Sequence, residues 1–222
     1  MAGNKLSYGL KMKEKVFNLD QRAVDLFFSP VRHKADVIIL LMNAIKYMLV
    51  NFQISDENSK GKMSLNVSKM SRLSFFTDQK YFSICFPFFV DVSDVSLIDF
   101  YTKDDISVDS KLTSEILSVI NDSDIFNRQD VFDFIEPIDQ VEPPSMGLWN
   151  VLKELMMFED GYIRYDFDEL RENPKYHPKY HLDIFYSSSS SFKFGLKEKP
   201  SPSDFLNMMD INMPCLYLTQ NM

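Results

Sequence analysis

The amino-acid sequence predicts an α+β fold, with antiparallel sheet packed against several helices. Three observations carry that prediction. Between Val37 and Val50 the chain is apolar at helical spacing, and between residues 63 and 102 it turns to Phe-, Tyr-, Ile- and Val-rich segments of strand length. The six glycines of the 222 residues, at 3, 9, 61, 147, 161 and 195, are too scattered for a dinucleotide fingerprint or a Walker loop. The apolar volume comes from 20 Phe, 10 Tyr and 13 Met, which suits an aromatic-rich core.

Taken in order, the first helix starts at Asp20 as N-cap, carries Val24, Phe27 and Phe28 on one face and stops before Pro30. The second runs from about Arg32 to Phe52. Its stripe of Val37, Leu40, Leu41, Ala44, Ile45, Met48 and Leu49 is widened by Ile38, Ile39 and Met42, so it is central to a core or to an oligomer interface. After the polar turn 55–62, strand-like segments near 63–76, 80–90 and 95–102 suggest an antiparallel meander. In the last of these both faces carry aromatic or aliphatic residues, which predicts a sheet covered twice.

Residues 109–135 read as two helical pieces separated by an Asp/Ser/Asn turn, and EPIDQVEPPS follows as a proline-broken connection. Ser145 is the expected cap of a helix reaching about Phe158 that buries Leu148, Trp149, Leu152, Leu155 and Met156. The turn Asp160–Gly161 leads into a strand GYIRYDFD, a proline-bounded loop into a second strand YHLDIFYS, and five serines at 187–191 form a hairpin loop into FKFGL. Ser201–Pro202 starts a last helix with Phe205, Leu206 and Met209. The chain reads as one domain, 1–222, with a division into 1–136 and 145–222 around the Pro-rich connection as the alternative.

Cys85 and Cys215 lie in SICFPFF and MPCLYL, apolar surroundings that predict buried, unpaired thiols. The stretch MAGNKLSYGLKMKEK has no apolar h-region, and Val37–Val50, interrupted by Asn43 and Lys46, is too short to span a bilayer. A cytoplasmic protein without membrane contact is the expectation. The net charge of −8 is uneven, positive over 1–80 and strongly negative over 81–142, so a basic partner could face the middle third and nucleic acid or an acidic surface the first. The alternative is that these charges simply solvate the surface.

Functional groups are densest near residues 162–185. Strand alternation puts Tyr162, Arg164, Asp166 and Asp168 on one face, and His181, Asp183 and Phe185 on one face of the next strand, with His177 in the loop between. If those faces coincide, imidazole and carboxylate could ligate a divalent metal through His177, His181 and Asp183, with Arg164 placed to hold a phosphate. The same groups could do metal-free acid–base work. The pattern also suits a solvated strand face, because the i,i+4 spacing in H-x3-H-x-D makes zinc-protease motifs specific only on a helix, and Pro178 argues against a helix there. His33 reads as a solvated basic corner and Asp104–Asp105 as a polar turn.

The strand Arg164-Tyr165-Asp166-Phe167-Asp168, followed by a Pro-rich loop and His177-Pro178-x-x-His181, resembles a signature of uncharacterised bacterial proteins of this size associated with phage-defence or toxin–antitoxin gene neighbourhoods. A similar Arg-aromatic-Asp with His-Pro clustering occurs in small toxins of TumE-type toxin–antitoxin pairs. The resemblance spans Tyr162 to Phe185 and implies no established activity. Together these readings predict a cytoplasmic bacterial interaction subunit of a multi-component defence or toxin–antitoxin system, binding a partner protein, with homo-oligomers allowed by the apolar second helix. The alternative is a nucleic-acid-directed hydrolase that uses Arg164, Asp166, Asp168, His177, His181 and Asp183 as its catalytic cluster.

Overall fold

The computed structural model describes residues 14–50, 53–68, 71–94, 97–121, 138, 140–141, 144–187 and 191–217. Its α+β architecture is built on a seven-stranded antiparallel sheet. The strands are β1 (Glu14–Leu19), β2 (Gly61–Asn66), β3 (Arg72–Phe76), β4 (Lys80–Cys85), β7 (Ile163–Phe167), β8 (Tyr180–Ile184) and β9 (Phe192–Gly195), in that spatial order. A separate hairpin pairs β5 (Phe89–Asp94) with β6 (Leu97–Tyr101). The described helices are α1 (Gln21–Phe27), α2 (Lys34–Val50), α3 (Ser110–Ile120), α4 (Leu148–Met157) and α5 (Pro202–Asn207).

The helix starts follow local chemistry. Asp20 caps α1 by accepting from the Ala23 amide at 2.8 Å, and Asp109 does the same for Leu112 on α3. Ser201 and Asp204 form a reciprocal capping box on α5, with Pro202 in its first turn. Ser145 does not cap α4. The N-cap there is Gly147 at φ +88°, a left-handed conformation open to glycine, while the Ser145 amide donates to Glu115 Oε2 on α3. Trp149, expected in the core, is 39% exposed.

Register explains how the sheet divides its labour. One row of cross-strand partners runs through all seven strands: Phe17, Met63, Phe75, Phe82, Arg164, Asp183, Lys193. Its first four members lie in the main core with α2, whose Val37, Ile38, Leu41 and Ile45 are fully buried. Phe28 of the α1 C-cap packs edge-on against Phe82, itself stacked on Phe75 with ring centroids 4.6 Å apart. Across β4 to β7 the row turns from aromatic to ionic, so the same face that is apolar beneath α1 and α2 becomes polar over β7–β9. The opposite face places Phe76, Tyr81, Tyr165 and Leu182 in one row, closed by Phe205 of α5.

Several expectations change. The segment 63–76 is two strands rather than one, and 80–90 is β4 followed by the start of β5. The β5–β6 hairpin stands apart from the meander, and in β6 Ile98 and Phe100 are buried while Asp99 is exposed. Cys215 is exposed, and Cys85, the last residue of β4, is half-buried. The second helical piece expected up to residue 135, and half of EPIDQVEPPS, lie outside the described residues.

Candidate active-site cleft

Strands β7 and β8 pair so that Arg164 faces Asp183 and Asp166 faces His181. The row through Asp166 continues to Lys80 on β4 and Gly195 on β9. The expected common face therefore forms, and it adds Lys80 and Lys193, which the local sequence around RYDFD does not contain. Gly195 is needed there: a Cβ at this position would come within 2.9 Å of Pro178.

The charges on this face are tightly paired. The Arg164 guanidinium donates to Asp166 Oδ2 at 2.6 Å and to Asp183 Oδ2 at 2.5 Å, and Lys193 Nζ donates to Asp183 Oδ1 at 2.5 Å. Asp183 is 4% exposed, so this double pairing is what makes its burial tolerable. Burial opposes the charge on Arg164, but Tyr162, Asp166 and Asp183 raise its pKa above the ordinary value. Arg164 thus neutralises its neighbours, and its fork is not free for a ligand as the sequence suggested.

His181 is 1% exposed. Its Nδ1 lies 2.7 Å from the Pro178 carbonyl, an acceptor, which fixes the proton on Nδ1 and leaves Nε2 with its lone pair. That nitrogen looks toward Asp166 Oδ2 and Asp183 Oδ2 at 3.9 and 4.0 Å. Burial lowers the His181 pKa, helped by Lys193; the Pro178 carbonyl and the two aspartates act in the opposite direction without reversing it. The ring is a neutral base at pH 7.

The loop after β7 is folded by its own side chains. Asp168 accepts from the Arg171 amide and side chain, and Asn173 exchanges backbone hydrogen bonds with His177 while its side chain takes the Lys175 and Tyr176 amides. Partial desolvation pushes the Asp168 carboxyl up, but Arg171 outweighs it and holds the pKa below the usual range. This fold sets the His177 ring 4.5 Å from the His181 ring, with Nε2 3.9 Å from Asp168 Oδ2 and Nδ1 buried without a hydrogen-bond partner.

Asp166, His181 and Asp183 offer donor atoms that all lie within 4.8 Å of one another, whereas His177 faces Asp168 instead. The Arg164 guanidinium bonds the same two Oδ2 atoms that His181 Nε2 faces, so cations of the protein already balance this trio.

Above these groups opens a polar cleft of about 580 Å³. Besides the residues named, Arg32, from the loop between α1 and α2, lines it. That loop is anchored where it enters α2. Asp36 accepts the Arg32 and His33 amides, and Lys34 binds Asp160 Oδ1 at 2.5 Å while the Tyr186 hydroxyl donates to Asp160 Oδ2. Lys80 is half-buried, and its ammonium has no hydrogen-bond or ion-pair partner among the described residues; the same holds for the Arg32 side chain. Burial lowers the Lys80 pKa and the adjacent Arg164 charge lowers it further, while Asp166 and Asp183 act in the opposite direction without reversing it. The cleft and its floor carry more cations than carboxylates. No family model, no curated protein and no solved structure matches this chain. Among the described residues, no helix is long and apolar enough to cross a membrane.

Proposed function

We propose that the protein is a nucleic-acid-directed hydrolase that cleaves phosphodiesters in the cleft over β7 and β8. The observation that carries this reading is the convergence of two histidine rings, 4.5 Å apart, with unpaired cations in one polar cleft. His181, neutral and tautomerically fixed, is the general base through Nε2, and His177 beside Asp168 moves the second proton. Arg164, Asp166 and Asp183 hold His181 in place and set the local field, acting as positioning residues. Because the aspartates are already paired, the reading favours metal-free acid–base chemistry, and a chelator arm in the assay separates it from a divalent ion held by Asp166, His181 and Asp183. The test is cleavage of fluorescent single-stranded RNA and DNA by the full chain, with His181→Gln and His177→Gln alongside.

A second reading, a subunit that binds a partner protein within a bacterial defence or toxin–antitoxin system, is favoured by a different observation. Strand β9 is a sheet edge, and Phe185, Phe192 and Phe194 are exposed beside it with ring centroids 5.5–6.1 Å apart. Aromatic groups along an unpaired edge suit strand addition by a partner. Recovery of a stoichiometric protein partner by wild type, lost with Phe192→Ser and Phe194→Ser together, supports it; recovery of the chain alone contradicts it.

A further inference from the structure

We propose that Lys80 and Arg32 form an oxyanion seat that holds one phosphate group in the cleft above Asp166 and His181. The inference deepens the hydrolase reading and rests on it for the identity of the substrate. Arg164 was the residue expected to grip phosphate, but both ends of its fork are taken by Asp166 and Asp183. Arg171 is committed to Asp168 and Lys193 to Asp183. Among the cations lining the cleft, Lys80 and Arg32 are the two whose charged groups meet no acceptor among the described residues.

The cost of Lys80 to the fold argues for a ligand, and Arg32 is exposed and so open to one. A half-buried ammonium next to a guanidinium loses hydration and suffers like-charge repulsion; Asp166 and Asp183 attract it without forming an ion pair, and its pKa still lies below the ordinary value. An anion seated in the cleft reverses both penalties. Lys80 is held at the start of β4, where Thr77 and Lys80 exchange backbone and hydroxyl hydrogen bonds, so the ammonium is presented from a fixed point. Arg32 enters from the opposite chain segment, on the loop tied down by Asp36, and its planar fork suits two oxygens of one phosphate. In the cross-strand row Lys80 neighbours Asp166, which neighbours His181, so the seat and the base stand two strands apart on one face of the sheet.

The shared chemistry is a phosphate group, whether from a polynucleotide backbone or from a free phosphate compound, and the experiment separates these sources. Inorganic phosphate, and single-stranded RNA and DNA oligonucleotides of equal length, are titrated into the full chain and followed by amide NMR shifts and by fluorescence anisotropy. Shifts centred on residues 77–82 and 31–33 are expected. Binding should weaken at least about tenfold in Lys80→Met and in Arg32→Met, and Lys80→Arg should retain it within about threefold. Tighter binding of the oligonucleotides identifies a polynucleotide; binding of inorganic phosphate alone identifies a small phosphate compound, and both outcomes support the seat. Absence of binding by the wild type, or equal affinity in Lys80→Met with an unchanged fold, overturns it. Lys80-dependent binding without cleavage removes the hydrolase reading and leaves the seat. Cleavage whose KM and kcat do not change in Lys80→Met removes the seat and leaves the hydrolase reading.

Discussion

Arg164 sits directly across the strand pair from Asp183, and its guanidinium bridges Asp183 Oδ2 at 2.5 Å and Asp166 Oδ2 at 2.6 Å. That bridge, together with Lys193 on Asp183 Oδ1, balances two carboxylates into a neutral platform beside the His181 ring. It also explains why the excess positive charge of the cleft resides elsewhere.

Breaking the platform should be costly. Asp183→Ala leaves Arg164 and Lys193 facing each other without their shared acceptor, and removing one partner of a buried pair costs on the order of 3–5 kcal/mol. Asp183→Asn, which keeps an acceptor oxygen, should cost less. Urea midpoints at unchanged m-value check the order wild type, Asn, Ala.

The pH dependence of stability should carry the mark of His181. Its folded pKa is lowered from the ordinary 6.5 by burial, with Lys193 acting in the same direction and Asp183 and Asp166 against it. The unfolded chain therefore binds the proton more readily than the native one. The stability this neutral ring contributes is complete above about pH 6.5 and is lost as pH falls from there through the lower folded value. His177, Asp166, Asp183 and Lys193 are the ionisable groups around the ring, so the comparison must be internal: urea midpoints of wild type and His181→Gln between pH 7.5 and 5.5. The wild type is expected to lose more stability across that interval, and parallel curves would contradict the assignment.

Gly161 should tolerate no side chain. Its φ is +52°, and a Cβ would lie 2.5 Å from Cys85 Sγ and 3.2 Å from Arg72 Nη1, while its carbonyl accepts from Arg72 Nη2. Gly161→Ala is expected to cost about 1–3 kcal/mol from backbone strain and collision together. Adding Cys85→Ala removes the nearest obstacle, so the double variant should recover part of that loss, a non-additivity that thermal unfolding of all four proteins would measure.

The far side of the sheet depends on one aromatic. Phe205 of α5 is fully buried against Phe76 and Tyr81 in the cluster that also holds Tyr165 and Leu182. Phe205→Ala should cost about 3–5 kcal/mol, read from urea unfolding.

The parts of this molecule that sequence made legible are those whose cause is local. Alternation in YIRYDFD and YHLDIF fixes which side chains share a face, since the period of a strand is two, and an antiparallel loop connection then brings Arg164, Asp166, His181 and Asp183 together. The Asp20 cap, the capping box at Ser201 and the central helix around Val37–Met48 are local in the same sense. Strand β1 escapes the sequence reading although Phe17 and Leu19 alternate inward against Val16 and Asn18; the basic stretch before it hides the signal.

Lys80 and Arg32 lay beyond such reasoning. Lys80 reaches Asp166 because β4 pairs with β7, a contact between segments more than eighty residues apart, and Arg32 reaches the cleft through a loop held by Lys34 and Asp160. Arg164 was recognisable as part of the site, but its commitment to two aspartates follows from register and side-chain geometry that composition does not carry. For the same reason the grouping of Asp166, rather than His177, with His181 and Asp183 needed three dimensions.

The most direct test of the central claim is cleavage of an end-labelled single-stranded oligonucleotide by the full chain at pH 7.5 in the presence of a chelator. The account predicts product formation that survives chelation and falls by about a hundredfold or more in His181→Gln, whose folding is verified in parallel. No cleavage by the wild type, or cleavage that His181→Gln leaves unchanged, would contradict it.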